Sequence, residues 1–361
     1  LLNGSSKSLF ASLETLDYFA KISGLKINFN KTKVIWIGSK KFSREVFHHP
    51  KWKLEWESRK FTLLGIVFSV NLEEMENLNY ESKYEEIKNT VKSWSRRNLT
   101  VLGRVTVLKS LIVSKLTYQF LCLPNPSDKF MQKLNSLFFE FVWQSKVDRI
   151  KRDVIIQDYV EGGVKMINMQ LLMKSLKVTW IRRCIVSNSK WQNLLSSICR
   201  NKNHYIFDFG TRYCMELRLN LTNRFWIDVF YSWECFCTLN VSSSFQDICC
   251  LPLWYNFDIV TGKQYIFYQH YFKNGVKMIG DLLNEDGEFY TYQEFINIYN
   301  LKTNFLEYQG LKEAVKKFLK ISKFEKTELL KIYPFLPIFV KFLLISLKGC
   351  RIIYKDRKST R

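Results

Sequence analysis

Tyr80, Tyr84, Ile87, Val91 and Trp94 recur at an unbroken four-three-four-three spacing, and nothing else in the chain restricts the fold as strongly. A strand would scatter these five over both faces. A helix gathers them into one apolar stripe that another element must cover. Glu81, Glu85 and Glu86 come early in the segment, and Lys88, Lys92, Arg96 and Arg97 come late. That order suits the helix dipole. The spacing therefore predicts a helix from Tyr80 and partners to cover it. A second helix is expected from Leu99 to Cys122, ending at Leu123-Pro124-Asn125-Pro126. Ser127 caps a third, with Phe130, Leu134, Leu137 and Phe141 on one face. The three make a helical unit. A basic connector, KVDRIKRD from Lys146 to Asp153, leads to Glu161-Gly162-Gly163 and a fourth helix over Met169 to Ile185.

Upstream the period changes. Ser5 caps a helix from about Lys7 to Ser23, with Leu9, Leu13, Leu16 and Ala20 on one face and Gly24 as a left-handed stop. Val34, Ile35, Trp36 and Ile37 then form an apolar run that reads as a buried strand. Trp52, Leu54 and Trp56 alternate with Lys53 and Glu55, as in a half-exposed strand. Phe61 to Val70, FTLLGIVFSV, is the expected answering strand, with Gly65 inside it marking a bulge or a close approach of another backbone. Helix, strand and hairpin form one end of a mixed sheet, so the class is α+β. Beyond Asn188 the pattern weakens to amphipathic stretches, a turn at Asp286-Gly287 and a Lys-rich helix over Leu311 to Lys323. No internal repeat occurs.

The 361 residues carry a formal net charge of +22. Solubility needs far less imbalance, so a polyanionic partner is expected, nucleic acid before a membrane surface. Nine cysteines without a C-x-x-C pair read as reduced, mostly buried thiols of an intracellular protein, nuclear or cytoplasmic. They offer no zinc site, and His48-His49 reads as a loop. The apolar run from Tyr333 to Leu347 contains Pro334, Pro337 and Lys341 and is too short to span a bilayer.

An acid-free basic window runs from Lys88 to Lys115. Within it Lys88, Lys92 and Arg96 stack at four-residue steps opposite the apolar stripe, a face suited to phosphates. A solvated face with dipole-matched charge would show the same pattern. The same sign continues through Arg97, Arg104 and Lys109. On an ideal helix Arg104 and Lys115 share a side and Lys109 points elsewhere. No phosphate-loop, dinucleotide, serine-hydrolase or zincin motif is present. No two aspartates are adjacent, so no two-metal centre is legible.

Taken in order, these fragments resemble the reverse transcriptase of non-LTR retrotransposons, the long interspersed elements. Gly24, Leu25, Asn28, Lys31 and Thr32 are similar to the family's G-L-x-x-N-x-x-K-T palm motif. Leu64-Gly65 resembles the Leu-Gly pair of its primer-grip hairpin. WSRRNLTVLGRVTVLKSLIVSKLTY, Pro124-x-Pro126, Phe141-Val-Trp143, KRD and Glu161-Gly162-Gly163 resemble its thumb. PLWYN (252–256) and IGDLLNEDGEF (279–289) resemble its C-terminal region.

The resemblance implies three parts: the end of the palm over 1–75, a helical thumb over 76–150 and an α-rich region over 151–361. It implies that Lys31 sits near the incoming nucleotide as a general acid or electrostatic group toward pyrophosphate; by the residues alone Lys31 reads as a turn residue before a strand, and Asn28 pins the turn through its side chain. Lys88, Lys92, Arg96, Arg97, Arg104 and Lys109 would contact an RNA template or an RNA–DNA or DNA duplex, and Leu64-Gly65 would seat the primer. In the family the aromatic-x-Asp-Asp hairpin comes just before LLNGSS-like sequence. The metal-binding aspartates are therefore expected outside this chain, which holds no cofactor of its own; Mg2+ belongs to the intact polymerase. The alternative reading is a non-enzymatic basic RNA- or DNA-binding module or a retrotransposon relic. Oligomeric state stays open.

Overall fold

In the computed structural model, which describes residues 2–57, 59–145, 147–185, 190–200, 206, 208–239, 248–262 and 264–321, the chain is a helix-rich α+β protein. It divides into two units, Leu1–Ile167 and Asn168–Arg361.

Helix α1 spans Ser6–Ser23. The Ser8 amide donates to Ser5 Oγ at 3.2 Å, and the Gly24 amide, at φ +74°, donates to Ala20 O at 2.9 Å. Both predicted caps are present. Leu9 and Leu13 are buried with Trp52, and Phe10, Phe29, Phe47 and Trp56 pack against them. The expected stripe is covered only along its first half, since Leu16 is exposed.

The strands differ from expectation. β1 (Lys33–Ile35) pairs in parallel with β2 (Glu55–Glu57). Neither is deeply buried, and Ile37, expected inside, is exposed. Phe61 to Val70 is not one strand. It folds on itself as an antiparallel hairpin, β3 (Lys60–Leu63) with β4 (Ile66–Ser69). Leu64 at φ +51° and Gly65 at φ +78° form the two-residue turn. Two successive positive φ values match the twist of a tight hairpin, so Gly65 turns the chain instead of bulging it.

Helix α2 runs Leu72–Ser95, starting earlier than the apolar stripe, because Asn71 accepts from the Glu73 amide at 3.2 Å. Tyr80, Tyr84, Ile87 and Val91 are buried as predicted. The hairpin is bolted to this helix: Asn79 Oδ1 accepts from Val67 N and Asn79 Nδ2 donates to Val67 O, each at 2.8 Å.

The expected continuous helix from Leu99 to Cys122 is broken. α3 (Val101–Val107) passes into a π turn at Leu108–Ile112, where Val113 N donates to Leu108 O at 2.8 Å. α4 (Ser114–Cys122) leaves at 45°. The reason is burial. A straight helix would carry Val113 about 140° round from Leu108, whereas an i→i+5 turn brings the two back toward one side. The widened turn buries Leu108, Ile112, Val113 and Leu116 together. The ideal-helix comparison of Arg104, Lys109 and Lys115 therefore fails. Among the described residues no single helix is long and apolar enough to cross a membrane; this bent pair passes by length and composition, with much of its apolar side in the core.

Helix α5 (Asp128–Trp143) starts at the predicted Ser127 cap and buries Phe130, Leu134 and Phe141 along with Met131, Phe138, Phe139 and Val142. A short α6 (Arg152–Ile156) leads to the Glu161-Gly162-Gly163 turn. Gly163 is required there, because a Cβ would lie 2.1 Å from Gln157 O.

In the second unit α7 (Met169–Ile185) has the predicted bounds. It packs with α8 (Lys190–Ile198) and α10 (Arg224–Leu239), and α9 (Thr211–Leu219) packs on α10. A small hairpin, β5 (Val260–Thr261) with β6 (Gln264–Tyr265), is followed by α11 (Gln269–Lys273), α12 (Tyr292–Ile298) and α13 (Phe305–Ile321). The Lys-rich helix thus begins before Leu311, while Lys323 and the run Tyr333–Leu347 lie outside the described residues. PLWYN and IGDLLNEDGEF lie side by side: Leu253 N donates to Lys277 O at 2.9 Å and Ile279 N to Leu251 O at 3.0 Å. Trp254, Tyr271, Phe295 and Tyr308 form the core beneath them. The eight described cysteines are free thiols. Burial pushes Cys184 up to about 11 and Cys199, Cys237 and Cys249 up to about 12.

Candidate nucleic-acid interface

The buried side of α2 fixes what its other side presents. With Tyr84, Ile87 and Val91 in the core, Lys88, Lys92 and Arg96 point outward. About 12 Å of helix separates Lys88 from Arg96 at the usual rise. Lys88 lies 3.9 Å from Glu85, a long exposed pair that holds it only weakly. Lys92 and Arg96 are exposed, with no ion-pair partner among the described residues. Arg97 lays its guanidinium 3.9 Å from the centre of the Trp94 ring, which orients it at the helix end.

The rest of the predicted set is used differently. Arg104 Nη1 donates to Val142 O at 2.8 Å. That carbonyl belongs to the last turn of α5, where a cation also meets the negative end of the dipole. Lys109 sits half-buried in the π turn and is itself engaged. Lys115, the last cation of the window, contacts Glu86 at 2.8 Å and Thr90 Oγ1 at 3.1 Å. The hydrogen bonds from Lys115 and Lys83 hold the Glu86 carboxyl below its ordinary range. The structure thus sorts the basic window into an exposed row on α2 and internal ties at Arg104 and Lys115.

Leu64 and Gly65 occupy the tip of the hairpin, and the Leu64 side chain is 79% exposed. A leucine held in the left-handed region costs roughly 1 kcal/mol or more. Here it also leaves an apolar side chain in water.

Lys31 ends the 3-10 turn Phe29–Lys31 and is exposed. The turn is pinned by the Asn28 carbonyl, which accepts from Lys31 N at 3.0 Å and Thr32 Oγ1 at 2.9 Å. Asn28 makes no capping bond with its side chain, so the expected pin is its backbone oxygen and the threonine hydroxyl. Lys33, two residues on, pairs with Glu57. Among the described residues no group of three histidine, cysteine or acidic side chains is placed to hold a metal ion.

Motif reading misses a second basic stretch. No aspartate or glutamate occurs between Glu161 and Asp208, a run that includes Lys174, Arg182, Arg183 and Lys190. The absence of acid was the signal available for it.

No established family profile matches the chain. It is 24% identical over 200 residues to the transposon TX1 uncharacterized 149 kDa protein of Xenopus laevis. The aligned stretch is 54% of this chain but only 15% of that protein. The similarity is distant, and it relates the chain to a transposon-encoded protein, consistent with descent from a non-LTR retrotransposon.

Proposed function

We propose that the chain is the template-primer-gripping part of a non-LTR retrotransposon reverse transcriptase, without the aspartates that hold the catalytic metal ions. One observation carries the reading. A single helix, α2, is anchored by its apolar stripe, holds the strained Leu64-Gly65 tip through Asn79, and presents Lys88, Lys92 and Arg96 to solvent. A rigid strut with a protruding apolar tip and a cationic row suits the backbone and end of a duplex. Phosphate contacts release counterions, so binding should weaken steeply with salt. Lys31 is available on the surface as a general acid or electrostatic group in the intact polymerase. A non-enzymatic RNA- or DNA-binding module would share the same interface.

The test is binding of the full chain to an RNA–DNA hybrid across a salt series. Replacing Lys88, Lys92 and Arg96 together by Gln should lower affinity and flatten the log–log salt slope by about 2–3. Arg104→Gln should lower stability and leave that slope unchanged, because Arg104 is spent on Val142 O. An unchanged slope in the triple variant would return the α2 row to an ordinary solvated face.

A further inference from the structure

The second unit carries an aromatic cluster that the α2 interface does not use. Trp180 on α7 is buried. Around it stand Trp191 of α8, with ring centres 4.8 Å apart at 77°, and Phe225 and Trp226 of α10 at 5.5 and 6.3 Å. The Arg183 guanidinium lies 4.8 Å from the Trp180 ring centre. Trp180, Phe225 and Trp226 are buried or half-buried, whereas Trp191 is 44% exposed. Arg183, which lies on the Trp180 ring, and Lys190, the residue before Trp191, are exposed. An indole half in water, braced by a buried ring and with a cation next to it in sequence, is already ordered before anything binds.

The charge around it has one sign along the chain. Helices α7 and α8 contain no acidic residue. The acids on the packed helix α10 are Asp228 and Glu234, and Glu234 is held by Arg218 at 2.8 Å.

We propose that this surface binds single-stranded nucleic acid, with Trp191 stacking an unpaired base and Arg183 and Lys190 meeting the flanking phosphates. A single strand is the partner because it alone offers both an open base face and a run of negative charge. A duplex hides its base faces. The proposal shares with the reading above only the chemical class of partner, and its residues lie in the other unit.

The full chain is titrated with a labelled oligouridylate and, separately, with an RNA–DNA hybrid. Trp191→Ala should weaken oligouridylate binding about tenfold or more and leave hybrid binding unchanged. Trp191→Phe, which keeps a ring, should retain most of the affinity. Arg183→Gln with Lys190→Gln should reduce the single-strand salt slope by about 1.4, and both side chains are exposed enough to leave folding intact if Trp191→Ala does not. Unchanged oligouridylate affinity in a folded Trp191→Ala protein would overturn the proposal. Equal loss toward oligouridylate and hybrid would also overturn it, as would nuclease-resistant binding to anionic vesicles that depends on the same residues. The Lys88, Lys92 and Arg96 variant separates the two readings: it should weaken hybrid binding and leave the Trp191 effect intact, whichever of the two survives.

Discussion

At the scale of single residues, two positions are held against their own preference. Leu64 has φ +51° and is almost fully in water. Its side chain gains little from burial, so the conformation costs stability without return in the free protein. Leu64→Asn should raise stability by about 1 kcal/mol and the melting temperature by about 2–4 °C, measured by thermal denaturation. If the tip seats a primer, the same change should weaken hybrid binding.

Asp281 is the second such residue. One of its carboxylate oxygens accepts from Lys277 N at 2.6 Å and Met278 N at 2.7 Å. Burial nonetheless raises its carboxyl above 3.8, outweighing those bonds and the Lys277 charge. Between its unfolded and folded values the native state therefore binds more protons. Its contribution is fully present below 3.8 and is lost as pH rises through the folded value. Asp281→Asn keeps an acceptor for both amides and cannot ionise. Urea melts at pH 4 and pH 7 should show the variant gaining on the native protein as pH rises.

At the scale of elements, the α2–α4 contact shows how charge is divided between structure and surface. Lys115 ties α4 to Glu86 of α2, and Lys83 shares the same carboxylate. Glu86 is partly exposed, so the Glu86–Lys115 coupling should be modest, about 0.5–1 kcal/mol at pH 7 in a double-mutant cycle with Glu86→Gln and Lys115→Met. The folded carboxyl lies below 4.5. The coupling is present above that value and should disappear as pH falls through the lowered one. A cycle unchanged by acid would mean the two residues act through packing.

At the scale of the whole molecule, a net charge of +22 is spread over two units with separate cores. Each exposes a cationic surface beside aromatic rings, at Trp94 in the first and Trp191 in the second. The full chain with a matched template-primer, nucleotides and Mg2+ should give no extension product above a no-protein control. Product above that control would overturn the reading of a gripping part without the metal-binding aspartates.

The sequence by itself determined the local terms. Ser5, Gly24 and Ser127 marked helix ends because capping involves only neighbouring atoms. The spacing of Tyr80, Tyr84, Ile87 and Val91 identified the buried side of α2, and with it the exposed side, since a helix fixes both at once. Tertiary structure decided the rest. Whether Phe61 to Val70 ran straight or turned depended on Leu64 accepting a conformation that leucine disfavours. Whether Leu99 to Cys122 stayed one helix depended on how many apolar residues the packed helices could bury together. The same packing took Arg104 and Lys115 as internal ties and left Lys88, Lys92 and Arg96 in solvent. A lysine or arginine reads alike in either place; only the position of a carbonyl or carboxylate from a distant segment distinguishes them.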